Sequence, residues 1–317
     1  MREKKTGCLL SFVIPTFNEE VFIAKNLATI KLLMKNMEHE VIVADNGSED
    51  ETVEIVKKSG AILFVDSSKT VAGLRNLGAK HAKGDVLVFL DADVQISEQW
   101  VEKVPLAMRK MNSGTNIITG SRCGVGENPS WIERYWFLPM TKDRSGFVNS
   151  GHLIVRKDVY DELDGFDESL ETSEDYEFCM RAARKGILLE NNPELHVIHE
   201  GCPKTIGAFV RREIWHGSED FKSFQKFIGS KVAVAGFFYC FFLTLSAVLM
   251  FYSAFYSLFF LMGNFILAMI LTLIKSRKYP LNVGMYFLLY NIYLFSRGLS
   301  LSARIISVSN VRGRTNR

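Results

Sequence analysis

The sequence predicts an α/β fold, a mainly parallel sheet with helices on both faces, followed by a C-terminal membrane region. Three observations carry that reading. From residue 9 to about 120, short apolar runs alternate with stretches of helical periodicity and leave no gap for a hairpin. Val232 to Ile274 carries no charged side chain, although 48% hydrophobic and 23% charged residues are the averages of a soluble protein. Finally, 317 residues leave room for one large domain and an appendage and exclude a small disulfide scaffold.

The first apolar run, Leu9 to Ile14, reads as a buried strand. Arg2, Lys4 and Lys5 before Cys8 mimic the start of a signal peptide, but Pro15 ends the run early and no small-residue cleavage site follows. Val41 to Ala44, Ala61 to Val65, Val86 to Leu90 and Asn116 to Gly120 read as further strands. Between them Glu20 to Asn36, Asp50 to Ser59, Thr70 to Ala82 and Ser97 to Met111 read as helices, with Ser97 the cap of the last. Residues 121 to 150 lack a period and carry Gly124, Gly126, Pro129, Trp131, Trp136 and Pro139, which suggests a long loop near the site. Strand register returns at Gly151 to Val155. A helix over 173–185, strands near 187–190 and 195–198, and a helix over 205–228 complete an expected globular domain of residues 1–228.

Residues 229–317 are expected to form the membrane part. As one helix the uncharged run would be about 65 Å long against a hydrocarbon core of about 30 Å, so it must fold in two, with spans near 232–251 and 255–274. Lys222, Lys226 and Lys231 precede this hairpin and Lys275, Arg277 and Lys278 follow it, which places both ends and the large domain in the cytoplasm. A further helix is expected over about 281–304, whose apolar stretch, Leu281 to Phe295, is short as a third span at about 15 residues. Crossing would export Arg297, Arg304, Arg312, Arg314 and Arg317, so an interfacial position is preferred, with Tyr286, Tyr290 and Tyr293 at headgroup level. Cys8, Cys123, Cys179, Cys202 and Cys240 form no Cys-x-x-Cys pair, which fits a reducing compartment. With a formal net charge of only +3, no nucleic-acid partner is expected.

In such sheets the site lies beyond the carboxyl ends of the strands. There the sequence places Pro15-Thr16-Phe17-Asn18-Glu19-Glu20, Asp45-Asn46-Gly47-Ser48-Glu49-Asp50 and Asp91-Ala92-Asp93. Two carboxylates ending a buried strand repel each other, and a hard divalent cation bridging them to phosphate oxygens relieves that repulsion.

These motifs, with Leu74-Arg75-Asn76-Leu77-Gly78-Ala79, Gly165-Phe166-Asp167-Glu168 and Ser173-Glu174-Asp175, resemble family 2 glycosyltransferases of the GT-A fold over about residues 9–200. The resemblance implies a donor site for a nucleotide-diphospho-sugar made by Pro15, Thr16, Phe17, Glu19, Asp45, Arg75 and Asp91. Asp45 would accept from the base, which makes a UDP-sugar the default donor. It implies Mg²⁺ or Mn²⁺ at Asp91 and Asp93, completed by a late histidine. His199 is preferred over His196 because Gly201 follows it, with a core or surface histidine as the alternative. It implies Asp175 as the base, at a helix start whose dipole favours the ionised form, with Glu174 on the acceptor or the pocket wall.

The activity implied is inverting, metal-dependent transfer to a lipid or lipid-linked glycan at the cytoplasmic face of the cell membrane. Polyprenyl-phosphate sugar synthesis is the alternative within the class. A non-catalytic membrane adaptor is the alternative outside it. Three departures bear on the donor: Phe17 stands where tyrosine is common, Asn46 replaces a frequent aspartate, and no glycine precedes Arg75-Asn76 within Lys69 to Ala72.

Overall fold

The computed structural model describes residues 9–126, 128–142, 146–278 and 282–315, with no side-chain description at 142, 278 or beyond 303. Arg2, Lys4, Lys5, Cys8 and Arg317, and the side chains of Lys278, Arg304, Arg312 and Arg314, lie outside that description. The chain divides into two compact units, one of Met1–Asn128 with Met140–Cys202, the other of Pro129–Pro139 with Pro203–Arg317.

In the first unit the alternation is realised as β1 (Leu10–Thr16), α1 (Glu20–Leu33), β2 (His39–Asp45), α2 (Thr52–Ser59), β3 (Ile62–Val65), α3 (Val71–His81), β4 (Val86–Leu90), β5 (Val94–Ile96), α4 (Glu98–Asn112) and β6 (Ile117–Gly120). After the loop come β7 (His152–Arg156), α5 (Lys157–Glu162), α6 (Glu174–Arg184), β8 (Leu188–Asn191) and β9 (Val197–His199). The seven-stranded sheet has the order β3-β2-β1-β4-β7-β6-β8, and β5 with β9 forms a separate two-stranded sheet. β1, β2, β3 and β4 are parallel, whereas β7 runs antiparallel to both β4 and β6. This reversal carries the start of β7 to the rim where β1, β2 and β4 end.

Strands buried on both faces read as continuous apolar runs, and the side-chain period of two sorts them between two cores. Leu10, Phe12 and Ile14 of β1 and Val86, Val88 and Leu90 of β4 pack with Ile23, Ile30, Trp100 and Val104. Val13, Leu87 and Phe89 face the opposite core with Tyr160, Phe166, Phe178 and Ala182. Ser97 caps α4 by accepting from Trp100 N at 3.2 Å, and Thr70 caps α3 in the same way from Gly73 N.

The second unit holds α7 (Ile206–Gly217), α8 (Phe224–Gly229), α9 (Lys231–Leu249), α10 (Ala254–Lys278) and α11 (Val283–Thr315). The single helix expected over 205–228 is broken, with a 3₁₀ turn at Glu219–Phe221, because Ser223 caps a new start by accepting from Lys226 N. Lys231–Leu249 and Ala254–Arg277 are long and apolar enough to cross a membrane. Two of their polar side chains reach across: Tyr239 Oη donates to Asn291 Oδ1 at 2.8 Å, and Asn264 Nδ2 to the Tyr239 carbonyl at 3.2 Å. α9 and α11 meet at Gly236 and Gly298, where a side chain on Gly298 would overlap Cys240 and the Gly236 carbonyl.

α3 lies equally close to the sheet. A Cβ on Gly78 would overlap Cγ1 of Val13, a fully buried and branched side chain that cannot swing away. Gly78→Ala is therefore expected to destabilise the protein by about 1–2 kcal/mol despite the better helix propensity of alanine, measured by denaturant unfolding in detergent; unchanged stability would contradict this packing.

Candidate active site

The turns after β1 and β2 are tied to each other. Gly47, at φ 74°, makes the bend after β2 that a residue with a Cβ would resist. Ser48 then reaches back, its N donating to Asp45 Oδ1 at 2.7 Å and its Oγ to Oδ2 at 2.6 Å, while Thr16 Oγ1 donates to the same Oδ2 at 2.7 Å. Asp45 is fully buried and takes three hydrogen bonds, two of them on Oδ2. Pro15 is buried within β1, opposite Ala44. Phe17, by contrast, is 54% exposed beside this knot and offers a free aromatic face.

Arg75 is only 3% exposed, unlike a helix-surface ion pair, and it joins three elements. Its Nη2 donates to Asp91 Oδ1 at 2.6 Å at the end of β4, and its Nη1 to Glu174 Oε1 at 2.7 Å at the start of α6. Ser150 Oγ donates to the same Glu174 oxygen at 3.0 Å. Asp175, buried beside Glu174, accepts from Asn149 Nδ2 at 3.0 Å, Ser150 N at 3.3 Å and Tyr176 N at 2.7 Å. Burial and the Glu174 charge push its carboxyl above the ordinary aspartate range, and these outweigh the amide donors that were expected to favour the ionised form. Ser173, at the N-cap position of α6 but with no side-chain capping bond, sits at φ 67°, a left-handed conformation uncommon for serine and found where a site holds the backbone in place.

Two residues on, a second pair stands at the same rim. β5 pairs antiparallel with β9 so that Val94 faces His199. This brings His199 Nε2 to 3.0 Å from Asp93 Oδ2, and His199 Nδ1 to 2.9 Å from Cys202 Sγ. Burial alone would lower the imidazole pKa, but the Asp93 hydrogen bond and charge, with the Cys202 contact, hold it well above its ordinary value. Glu19 is raised to about 7 by burial and by the charges of Asp93, Asp91 and Asp50. The rim is thus an acidic hollow in which Arg75 pairs with Asp91 and His199 with Asp93.

A hard divalent cation fits this hollow. A nitrogen and a carboxylate oxygen 3.0 Å apart match neighbouring ligands of a small cation, whose bonds of about 2.1 Å at right angles put them about 3 Å apart. Glycines keep the space open: a Cβ on Gly201 would overlap the Asp93 carboxylate, and one on Gly151 would stand 2.8 Å from Asp91 Oδ2. Among the described residues no three acidic, histidine or cysteine side chains converge at metal-binding distance.

The structure therefore joins Arg75, Asp91, Glu174 and Asp175 in one bonded chain, sets Asp93 with His199 next to it, and puts Thr16 with Asp45 in a separate knot. Glu19, which opens α1, faces the acidic hollow electrostatically. Sequence reasoning assigned no role to Cys202 or to Asn26, whose Nδ2 donates to the carbonyls of Asp91 and Ala92, each at 3.0 Å, and did not foresee that Asn149 and Ser150 bond to Asp175. The available signal was the polar run Asn149 to His152 before an apolar strand, which reaches the rim only because β7 is reversed.

Residues 11–162 match the family model of Glycosyl transferase family 2, and residues 87–294 that of Glycosyl transferase family group 2. The chain is 30% identical over 226 residues to glycosyltransferase AglE of Haloferax volcanii, covering 64% of this chain and 70% of that protein. It is 26% identical over 164 residues to a dolichol-phosphate mannosyltransferase of Pyrococcus furiosus, covering 50% of this chain and 45% of that one. Among solved structures, mannosyltransferase PcManGT of Pyrobaculum calidifontis, in complex with GDP-Man and Mn²⁺, has a TM-score of 0.54 over 71% of this chain and 66% of its own, at 19% identity. That likeness shows the GT-A-type fold.

Two outcomes are expected of the bonded chain. Arg75→Met leaves Glu174 and Asp91 without their shared cation and should cost about 3–5 kcal/mol of stability, read from denaturant unfolding in detergent. Asn149→Ala removes one donor from the Asp175 carboxylate and should raise the acid limb of any Asp175-dependent activity by about 0.5–1 pH unit; a pH profile identical to that of the unaltered protein would show that Asn149 does not act on Asp175.

Proposed function

This chain belongs to glycosyl transferase family 2, and we propose that it moves a sugar, with inversion, from a nucleotide-diphospho-sugar to a lipid or lipid-linked glycan at the cytoplasmic face of a membrane. The observation that carries the proposal is the juxtaposition at one rim of a buried carboxylate fit to be a base, Asp175, and an acidic hollow fit for a divalent cation, at Asp93 and His199. Mg²⁺ or Mn²⁺ held there, with Asp91 beside it, would supply positive charge against the departing nucleoside diphosphate.

Asp175 takes the proton of the acceptor hydroxyl as that oxygen bonds to the anomeric carbon and the bond to the diphosphate breaks. Attack from the face opposite the leaving group inverts the centre, with no covalent sugar on the protein. Glu174, bonded to Arg75 and Ser150, forms the wall behind the base. Arg75, held between Asp91 and Glu174, fixes these groups and is not itself free for the diphosphate. The base moiety is received at the exposed Phe17, with the Thr16–Asp45–Ser48 knot shaping the turn beneath it. UDP-sugars are the first donors to test, and GDP-sugars belong in the panel because PcManGT was solved with GDP-Man.

The lipid acceptor rests on α9 and α10, since a catalytic domain anchored at the interface meets membrane acceptors at high effective concentration. The lysines and arginines flanking these helices support a cytoplasmic location. A second reading, a polyprenyl-phosphate sugar synthase, is favoured by the similarity to the dolichol-phosphate mannosyltransferase. Its phosphate acceptor would need no strong base, and the Glu174–Asp175 pair speaks for a hydroxyl.

The test is nucleoside diphosphate release by the detergent-solubilised protein from UDP-, GDP- and dTDP-sugars, with Mn²⁺ or Mg²⁺ and membrane lipids. Turnover with one donor is expected, abolished in Asp93→Ala and reduced about 100-fold or more in Asp175→Asn. It should rise with pH through a value above the ordinary aspartate pKa of about 3.9, because the base must be ionised and its folded-state pKa is raised. Activity that survives Asp175→Asn would move the assignment to a phosphate acceptor. A folded protein that binds no nucleotide sugar would be an adaptor.

A further inference from the structure

We propose that Cys202 is a positioning residue for the cation site: its sulfur holds the Nδ1 proton of His199, so that Nε2 presents its lone pair to the metal beside Asp93. The inference rests on the metal-dependent reading above and adds a residue that this reading does not require.

A histidine that binds a metal through one ring nitrogen carries its proton on the other, and the group that accepts this proton fixes both tautomer and ring orientation. In most such sites the acceptor is a carboxylate, a carbonyl or water. Here the position is taken by a thiol, with Cys202 Sγ 2.9 Å from His199 Nδ1. Cys202 is 6% exposed, so bulk water is not at hand to replace it.

The chain between the two residues is built to hold this arrangement. His199 N donates to the Gly124 carbonyl at 2.9 Å, and Glu200 N to the Asp93 carbonyl at 2.8 Å, which locks the backbone of the β5–β9 pair around the site. The Glu200 side chain is ion-paired to Lys25 of α1. Gly201 lets the chain pass against the Asp93 carboxylate, where any Cβ would overlap it. The turn therefore returns the next side chain, Cys202, to the far edge of the His199 ring. Asp93 and Cys202 then grip the imidazole at opposite nitrogens.

A buried cysteine is otherwise a small apolar filler, for which alanine or serine would serve at little cost. The two roles separate in the metal affinity. Without Sγ, a proton left on Nδ1 is buried unpaired, and the tautomer that moves it to Nε2 blocks the ligand position.

Mn²⁺ is titrated into the full-length detergent-solubilised protein, alone and with saturating UDP or GDP, and free Mn²⁺ is read by electron paramagnetic resonance. Cys202→Ala is expected to weaken Mn²⁺ binding about 10–100-fold, with Cys202→Ser restoring it to within about threefold through its oxygen acceptor. In the assay the apparent Mn²⁺ constant of Cys202→Ala should rise while kcat at saturating Mn²⁺ largely recovers. Thermal unfolding without metal checks that the variants fold. Cys202→Ala that binds Mn²⁺ as tightly as the unaltered protein overturns the inference and leaves the metal site standing. If the unaltered protein takes up no Mn²⁺, or His199→Ala binds it normally, the metal reading or its histidine ligand fails, and this inference falls with it.

Discussion

The site depends on one buried cation. Arg75 is shut away from water between Asp91 and Glu174, and the desolvation of such an ion is offset only by close, well-directed partners. A guanidinium supplies two prongs in a fixed plane, which a lysine at the same place could not. Because its partners come from the end of β4 and the start of α6, the pairing sets where both carboxylate-bearing segments stand. Asn76, the next residue, acts on the neighbouring turn. Its Oδ1 accepts from Phe166 N at 2.9 Å and its Nδ2 donates to the Phe166 carbonyl at 2.9 Å. Three positions along from Arg75, on the same helical face, Gly78 lets α3 sit hard against Val13.

Two kinds of charge management share the rim. The Arg75 chain sets one guanidinium between two carboxylates and holds them by directed hydrogen bonds. At the hollow, burial first and then the charges of Asp93 and Asp91 raise the pKa of Glu19. Asp91 belongs to both, with one oxygen on Arg75 and the other beside Gly151.

Much of this was legible in the sequence. Strands buried on both faces announce themselves as apolar runs, and their ends locate Thr16, Asp45, Asp91 and Asp93 without any structure. The Ser97 cap was equally plain, because capping is chemistry between neighbours in sequence. What failed to show were features with long separations. β5 is three residues long and gave no periodic signal, yet its pairing with β9 is what sets His199 against Asp93. The helix before α9 looked continuous because the restart at Ser223 competes with a pattern that still reads as helical.

Local pattern determined the layered fold, the apolar helices and the residue types gathered at the rim, because each follows from periodicity or from chemistry within a few residues. The tertiary structure alone decided which of those residues touch. It buried Arg75 between Asp91 and Glu174, tied Asp45 to Thr16 and Ser48, and brought Asn149 and Ser150 to Asp175 by reversing β7. Hydrogen bonds and charges act over a few ångströms in space, and separations of 16 to 99 residues along the chain, as from Arg75 to Asp91 and to Glu174, carry no trace of that proximity.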